Sequence, residues 1–160
     1  MSNSFLKSPT PINEPVKSYA PKTPERALIT ATYDDLFSKE IHIPMKIGGE
    51  EVDSSQTNTM HPPHDHKQLL GTYSLASESH VEQAIAAALE ARKSWVTMPF
   101  AARAAVFLKA AELIAGPYRY IINASTMIAQ SKTVHQAEIY ANQDNGIPQY
   151  PTLFLKFKNN

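Results

Sequence analysis

Helix-capping signals recur at short intervals through residues 79–142 and limit the second half of the chain to a run of helices. Ser79-His-Val-Glu82 fits a capping box, in which a serine oxygen and an acidic side chain satisfy the first free backbone donors. Thr133-Val-His-Gln136 fits a second capping box. These signals predict two helix starts about fifty residues apart.

Prolines and a glycine divide the residues between those two starts. Pro99 and Pro117 occupy positions where a proline can open a helix, and Gly116 stands where a left-handed residue can end one. The pattern predicts four consecutive helices, the last from Val134 to about Asn142. Each of the first three carries an apolar stripe. The stripes comprise Val81, Ala84, Ile85, Ala88, Leu89 and Trp95, then Phe100, Ala104, Phe107, Leu108, Ala111 and Ile114 or Ala115, then Tyr118, Ile121, Ile122, Ser125 and Ile128.

The first half of the chain mixes one helix with extended segments. Thr23-Pro24 predicts a helix start with a threonine N-cap, and the helix extends to about Phe37. We expect Leu28, Ala31 and Leu36 near its buried face.

A small β-hairpin is predicted after that helix. Ile43, Met45 and Ile47 alternate with other residues, which is the period of a half-buried strand. Gly48-Gly49 turns the chain into a short return strand around Val52. A second extended segment is predicted over Gln68–Ala76. The predicted architecture is therefore a Pro-rich arm, a small β-hairpin and then four consecutive helices.

The two ends of the chain differ in character from its middle. Five prolines fall within the first 24 residues, so residues 1–22 are expected to be an extended arm, either a flexible tail or a segment lying along a neighbouring surface. Residues 23–141 form the helical and hairpin part. Residues 142–160 form a divergent tail that begins with helix breakers, and Leu153–Phe157 could form a strand.

Composition excludes several classes of protein. The chain has 15 basic and 15 acidic residues, and this zero net charge argues against nucleic-acid binding. No stretch of about 18 apolar residues is present, so we expect no transmembrane helix. The first residues resemble neither a secretory signal nor a transit peptide, which predicts a cytoplasmic protein. The absence of cysteine removes thiolate nucleophiles and cysteine-based metal sites.

A histidine-rich segment is the strongest candidate for a metal site. His61-Pro-Pro-His-Asp-His66 places three imidazoles and a carboxylate within six residues. Two consecutive prolines hold the segment extended, so His61 would need a separate turn to reach His64 and His66. The alternative is a polar, exposed turn. The remaining histidines, His42, His80 and His135, are scattered and are expected at the surface.

Other constellations predict no active site. Asp34-Asp35 and Glu50-Glu51 are adjacent pairs, and neighbouring residues point in different directions in a helix or a strand. Only five glycines occur, and their spacing allows neither G-x-G-x-x-G nor a P-loop. No residue is therefore assigned as catalytic, cofactor-binding or metal-ligating.

Three stretches between about Asn13 and Ile139 resemble the N-terminal part of an aldehyde dehydrogenase. Within that superfamily they resemble the delta-1-pyrroline-5-carboxylate dehydrogenases, also called L-glutamate gamma-semialdehyde dehydrogenases. The Gly-Pro-Tyr-Arg119 and Gln-Ser-Lys-Thr…Gln-Ala-Glu-Ile139 pieces point to that group specifically. The stretches are Asn13–Val16 with Pro24–Arg26, then Ile43–Val52, then His80–Arg92, Trp95, Arg103–Arg119, Met127 and Gln130–Ile139.

The resemblance implies an α/β, aldehyde dehydrogenase-like fold and NAD-dependent oxidation of L-glutamate gamma-semialdehyde to glutamate in proline degradation. In that chemistry a cysteine thiolate attacks the aldehyde, hydride leaves to NAD, and a water activated by a glutamate hydrolyses the thioester. None of these parts can be matched to a residue here, and the similarity fades near Tyr140, so no substrate contact is assigned to Asp144.

We therefore interpret the chain as an N-terminal fragment of such a dehydrogenase, inactive alone and binding no cofactor by itself. Its partners would be the remainder of the dehydrogenase, or other copies of the chain through apolar helix faces, with no nucleic acid and no membrane. The alternative is a short helical interaction protein that docks on a full-length dehydrogenase. That docking would be lost on mutating Phe107 and Leu108.

Overall fold

A computed structural model describes residues 15–142 as a mixed α/β structure of five helices and five short strands. Of the predicted tail, residues 142–160, the part from residue 143 on lies outside this range, as do residues 1–14 of the predicted arm. In order, the elements are α1 (Pro24–Phe37), β1 (Ile41–Ile43), β2 (Met45–Ile47), β3 (Glu50–Val52), β4 (Thr57–Met60), β5 (Gly71–Ser74), α2 (Glu78–Thr97), α3 (Phe100–Ala115), α4 (Arg119–Gln130) and α5 (Val134–Asn142). Within residues 15–142, no helix is both long and apolar enough to span a bilayer.

Helix α1 has the predicted bounds but buries a different face. Thr23 caps it by accepting a hydrogen bond from the Arg26 amide at 3.4 Å. Ile29 is buried, whereas Leu28 is 51% exposed, so the prediction that Leu28 and Ala31 belong to the buried face is wrong. The helix packs on α4 through Ile29, which is rotated by about 100° from Leu28.

The predicted hairpin is confirmed, but the alternating segment before it is two strands. β2 pairs with β3 in antiparallel register, and Gly48 and Gly49 occupy the turn at φ of 62° and 93°. Pro44 separates β1 from β2 and has no N–H with which to continue a ladder. As a result Ile43 belongs to another sheet.

That second sheet has the order β1-β5-β4, with β1 and β5 parallel. The extended segment predicted over Gln68–Ala76 contains β5, which is shorter. At Gly71, φ is 144°, and a Cβ atom there would lie 1.8 Å from the Ile41 carbonyl oxygen. Glycine therefore permits the close approach of β1 to β5. The sequence pattern does not predict the polar strand β4, because Thr57–Met60 shows no apolar alternation.

The four predicted helices are confirmed, with corrections at their ends. Helix α2 begins two residues earlier than expected, because Ser77 rather than Ser79 is the N-cap and His80 rather than Glu82 completes the capping box. The Gln136 amide donates to Thr133 Oγ1 at 3.3 Å, so the second predicted box is confirmed. Gly116 is not left-handed as predicted, since its φ is −102°.

The buried core lies between α1, α4, α5 and the residues before α1. Its buried cluster is Tyr19, Ile29 and Ala124, and Met127 and Val134 pack against it. In α2 and α3 no residue is buried. Within the described part of the chain, the predicted stripe of α2 is exposed. The stripe of α3 is half-buried at Ala104, Ala111 and Ile114 and exposed at Phe107 and Leu108.

Helix α4 also turns a different face inward than its apolar pattern predicts. Tyr118 and Ile121 are 50% and 43% exposed, and Ser125 is exposed as well. The polar Asn123 and the small Ala124 are fully buried instead. Of the predicted stripe, Ile128 is buried.

Candidate functional site

Glu138 in α5 is a buried carboxylate at the junction of α4, α5 and the residues before α1. Its side chain is 0% exposed, and that of its ion-pair partner Arg119 is 3% exposed. Asn123 Nδ2 and the Tyr19 hydroxyl each donate to Glu138 Oε2 at 2.6 Å. The Lys17 amide donates to Oε1 at 3.0 Å. Protein donors thus replace the water that this carboxylate loses on burial.

The electrostatics of this cluster favour one protonation state for each member. Burial alone raises the pKa of Glu138, but the hydrogen bonds from Arg119, Tyr19, Lys17 and Asn123 outweigh it and hold the pKa below its usual value. Burial lowers the pKa of Arg119, but the hydrogen bond and negative charge of Glu138 outweigh burial, so the pKa of Arg119 is raised. Burial and the bond to Glu138 raise the pKa of Tyr19. The cluster is therefore a carboxylate, a guanidinium and a neutral phenol.

This arrangement is suited to holding elements together rather than to catalysis. A general base needs a lone pair within reach of the substrate and a pKa near the working pH. Glu138 has no solvent-exposed surface, its pKa is lowered, and both of its oxygens accept hydrogen bonds within the protein. Among the described residues, Glu138, Arg119, Asn123 and Tyr19 form a structural centre.

Sequence reasoning missed this cluster because its members are far apart and of polar types that usually lie at the surface. Tyr19 and Glu138 are 119 positions apart. One signal could have found them: Arg119 and Glu138 lie in the two stretches that resemble the pyrroline-carboxylate group specifically.

The histidine-rich segment does not converge on a metal. His61 Nδ1 lies 2.8 Å from the Gln68 carbonyl oxygen, and His66 is exposed. Within residues 15–142 no group of three or more histidine, aspartate or glutamate side chains could hold a metal ion. The segment follows the polar-turn alternative.

His64 instead tethers this segment to two helices. Its Nδ1 is 2.8 Å from Ser131 Oγ after α4, and its Nε2 is 3.4 Å from the Tyr33 hydroxyl in α1. Its ring also stacks on Phe37, with 6.2 Å between the ring centroids. These contacts assign His64 a structural role.

A carboxylate, an imidazole and a hydroxyl are linked by hydrogen bonds at the edge of the three-stranded sheet. His42 Nε2 is 2.6 Å from Asp53 Oδ1, and its Nδ1 is 2.9 Å from Thr72 Oγ1. The hydrogen bond from His42 lowers the pKa of Asp53. The side chains of His42 and Asp53 are 44% and 69% exposed, whereas the aspartate of an acyl-transfer triad is buried. We interpret the trio as a surface link between β1, β5 and the residue after β3.

The adjacent acidic pairs make surface contacts. Asp35 pairs with Lys39 at 2.5 Å, and Glu51 pairs with Lys46 at 2.6 Å. The partners in both pairs are more than half exposed, so solvent screens these interactions.

The cavity beside the core is smaller than a typical ligand pocket. A cavity of about 200 Å³ lies beside the core, and its lining is mainly apolar. Ligand pockets generally measure about 300–1,000 Å³, and a dinucleotide also needs a glycine-rich turn at a helix N-terminus. No nucleotide-binding step is therefore derived from residues 15–142. The cavity is lined by Arg26, Ile29, Thr30, Tyr33, Met127 and Val134.

Five helices, a β-hairpin and a three-stranded sheet define residues 15–142 as part of an α/β protein. Residues 51–147 match the aldehyde dehydrogenase family, and the chain belongs to that family. Its fold class is accordingly α/β and aldehyde dehydrogenase-like, in the form of a fragment.

The chain is similar to proteins named delta-1-pyrroline-5-carboxylate dehydrogenase, which confirms the resemblance in the sequence. It is 42% identical over 140 residues to a probable enzyme of this name from Schizosaccharomyces pombe, covering 87% of this chain and 26% of that protein. It is 47% identical over 134 residues to a mitochondrial one from Emericella nidulans, covering 83% and 23%.

Solved structures agree with these relatives. The enzyme from Mycobacterium tuberculosis, in a crystal structure with bound NAD, superimposes with a TM-score of 0.85 at 42% identity, covering 88% of this chain and 26% of that one. A mutant of the Thermus thermophilus enzyme gives 0.79 at 26% identity, covering 90% and 27%. The chain thus spans about a quarter of the length of these relatives.

Proposed function

We propose that this chain supplies the N-terminal part of the cofactor-binding domain of an NAD-dependent dehydrogenase that oxidises L-glutamate gamma-semialdehyde to glutamate in proline degradation. The observation that carries this proposal is the combined similarity in sequence and fold. The comparison is with the delta-pyrroline-5-carboxylate dehydrogenase from Mycobacterium tuberculosis bound with NAD. Sequence identity is 42% and the TM-score is 0.85, over 88% of this chain.

We further propose that these 160 residues alone are inactive and bind no NAD. The chemistry that the resemblance implies begins with a thiolate, and the sequence contains no cysteine. Glu138 has no solvent-exposed surface, and the cavity beside the core is too small for a dinucleotide. The contribution of this segment would be structural.

A chimera tests the assignment. The corresponding quarter of the Mycobacterium tuberculosis enzyme is replaced by residues 15–142 of this chain, and NADH formation is followed with glutamate semialdehyde and with propanal. We expect semialdehyde oxidation within about tenfold of the parent rate and a preference for the semialdehyde. A matched chimera whose recipient part lacks its catalytic cysteine is the blank. A folded chimera that binds NAD but prefers propanal would contradict the substrate assignment.

The exposed helix faces support a proposal about partners. Ile85 and Leu89 in α2 are 55% and 59% exposed, and Leu108 in α3 is 48% exposed. Apolar faces of this kind mark surfaces that pack on another partner. We propose that the remainder of a dehydrogenase covers them, or other copies of the chain when that remainder is absent.

The same faces favour one second candidate, a short interaction protein that docks on a full-length dehydrogenase. Co-purification with the Mycobacterium tuberculosis enzyme tests this alternative, and replacement of Phe107 and Leu108 by glutamine should abolish it. Replacement of the exposed Glu90 and Lys93 by glutamine is the control, since it leaves the apolar face intact. No co-purification of the unchanged chain would reject the alternative.

A further inference from the structure

The residues before α1 contact the α4–α5 unit through polar groups at alternate positions. Arg119 Nη2 donates to the Pro15 carbonyl at 2.8 Å, and the Lys17 amide donates to Glu138 Oε1 at 3.0 Å. The Tyr19 hydroxyl donates to Glu138 Oε2 at 2.6 Å. Residues 15–20 of the predicted arm, called the arm from here on, therefore contact the buried ion pair at three positions.

Tyr19 is the fixed end of this arm. Its side chain is buried, with 2% of the residue exposed, although its φ is +50°. A residue with a bulky side chain rarely adopts this left-handed conformation, and it persists only where surrounding contacts hold it. Asn123 Nδ2 donates to the Tyr19 hydroxyl at 3.1 Å, and Arg26 Nη1 to its carbonyl oxygen at 3.4 Å. The arm is thus anchored to α1 and α4 at one residue.

Glu138 connects the arm to α5. The same carboxylate accepts from Arg119 and Asn123 of α4 and from Lys17 and Tyr19 of the arm. The described part of α5 has nine residues, and a helical segment of this length is marginal without tertiary contacts. The contacts that hold α5 on α4 are therefore shared with those that hold the arm.

We propose that the arm is a latch for α5: docking of Tyr19 and of the Lys17 amide on Glu138 holds α5 in place, and release of the arm releases α5. The latch follows from the geometry of residues 15–142 and is independent of the proposed enzymatic function. It makes the segment before α1 a conformational control on the helix from which the chain continues.

Hydrogen exchange on the full chain tests the latch. Tyr19→Phe keeps the ring and removes the hydroxyl that reaches Glu138. We expect amides of the arm and of α5 to exchange about tenfold faster, while α1 changes little. The control is Tyr120→Phe. This variant removes a hydroxyl that accepts a hydrogen bond from Lys17 Nζ at 2.7 Å, and it leaves the hydrogen bonds to Glu138 described above in place. This control should leave α5 unchanged.

A second pair of variants keeps the test decisive if Tyr19→Phe loosens the whole chain. Lys17→Pro removes the amide that donates to Glu138, whereas Lys17→Ala removes only the side chain. The latch predicts faster exchange in α5 for Lys17→Pro and not for Lys17→Ala. Faster exchange confined to the arm, or equal exchange in α5 for both variants, would overturn the proposal.

Discussion

Glu138 carries a negative charge in the interior, and its neighbours make that charge tolerable. With Arg119 it forms an ion pair whose side chains are 0% and 3% exposed. Removing one partner of such a pair leaves the other charge buried and uncompensated, which costs far more than the pair contributes when intact. The stability of the segment should therefore depend strongly on this single residue.

Glu138→Gln tests this dependence. The variant keeps the shape of the side chain but removes the buried carboxylate charge that pairs with Arg119, so we expect a loss of about 3–5 kcal/mol in the free energy of unfolding. Urea denaturation followed by circular dichroism measures it. Glu51→Gln, which breaks an ion pair more than half exposed on both sides, should cost less than about 1 kcal/mol. Similar losses for the two variants would contradict the structural role of Glu138.

The same cluster predicts how stability varies with pH. Because the folded pKa of Glu138 lies below its usual value of 4.5, its contribution is complete above that pH and is lost as the pH falls through 4.5 towards the folded pKa. The pKa of Tyr19 is raised above 10.0, so its contribution is complete below pH 10 and is lost as the pH rises beyond it.

Denaturation midpoints measured from pH 3 to 11 check these directions. Glu138→Gln should weaken the fall of the midpoint at acid pH. Tyr19→Phe should weaken the fall of the midpoint at alkaline pH. If the midpoint of Glu138→Gln falls at acid pH as steeply as that of the unchanged chain, other carboxylates govern the loss of stability in acid.

These residues mark the limit of sequence reasoning at this scale. Arg119, Asn123 and Glu138 belong to types that usually lie at the surface, and no periodicity in a helix distinguishes a buried polar residue from an exposed one. The spatial meeting of Tyr19 with Glu138 depends on the tertiary path of the chain, which local pattern does not contain.

At the scale of elements, caps and turns were largely predictable because their physics is local. The predicted bounds of α1, the hairpin turn at Gly48-Gly49 and the Thr133 capping box are confirmed. The N-cap of α2 is Ser77 rather than the predicted Ser79, because both serines fit the capping pattern. The sheet of β1, β5 and β4 was missed because parallel pairing joins residues far apart in the sequence.

The two serines provide a direct prediction. Ser77 Oγ accepts from the His80 amide and its own amide donates to the His80 ring, so Ser77→Ala should destabilise α2 by about 1 kcal/mol. Ser79→Ala lies inside the helix and should change stability by less than about 0.5 kcal/mol. Thermal denaturation of the two variants measures the difference. A larger loss for Ser79→Ala than for Ser77→Ala would contradict the assignment of Ser77 as the N-cap.

At the scale of the whole molecule, fold class and family were predictable from the sequence, but the burial of helix faces was not. The sequence predicts apolar stripes on α2 and α3, and these helices bury no residue in the described structure. A stripe predicts that a face is suited to burial and does not say what covers it. The chain spans about a quarter of its relatives, which agrees with the proposal that the covering surface belongs to the rest of such an enzyme.

We propose that these 160 residues provide a scaffold and none of the chemistry of a glutamate semialdehyde dehydrogenase. The most direct test is the formation of NADH, followed by its absorbance, when the purified chain, free of other dehydrogenases, is incubated with NAD and glutamate semialdehyde. We expect no rate above that of the protein-free blank at any chain concentration. A rate that rises in proportion to the chain and disappears when the chain is unfolded would contradict it.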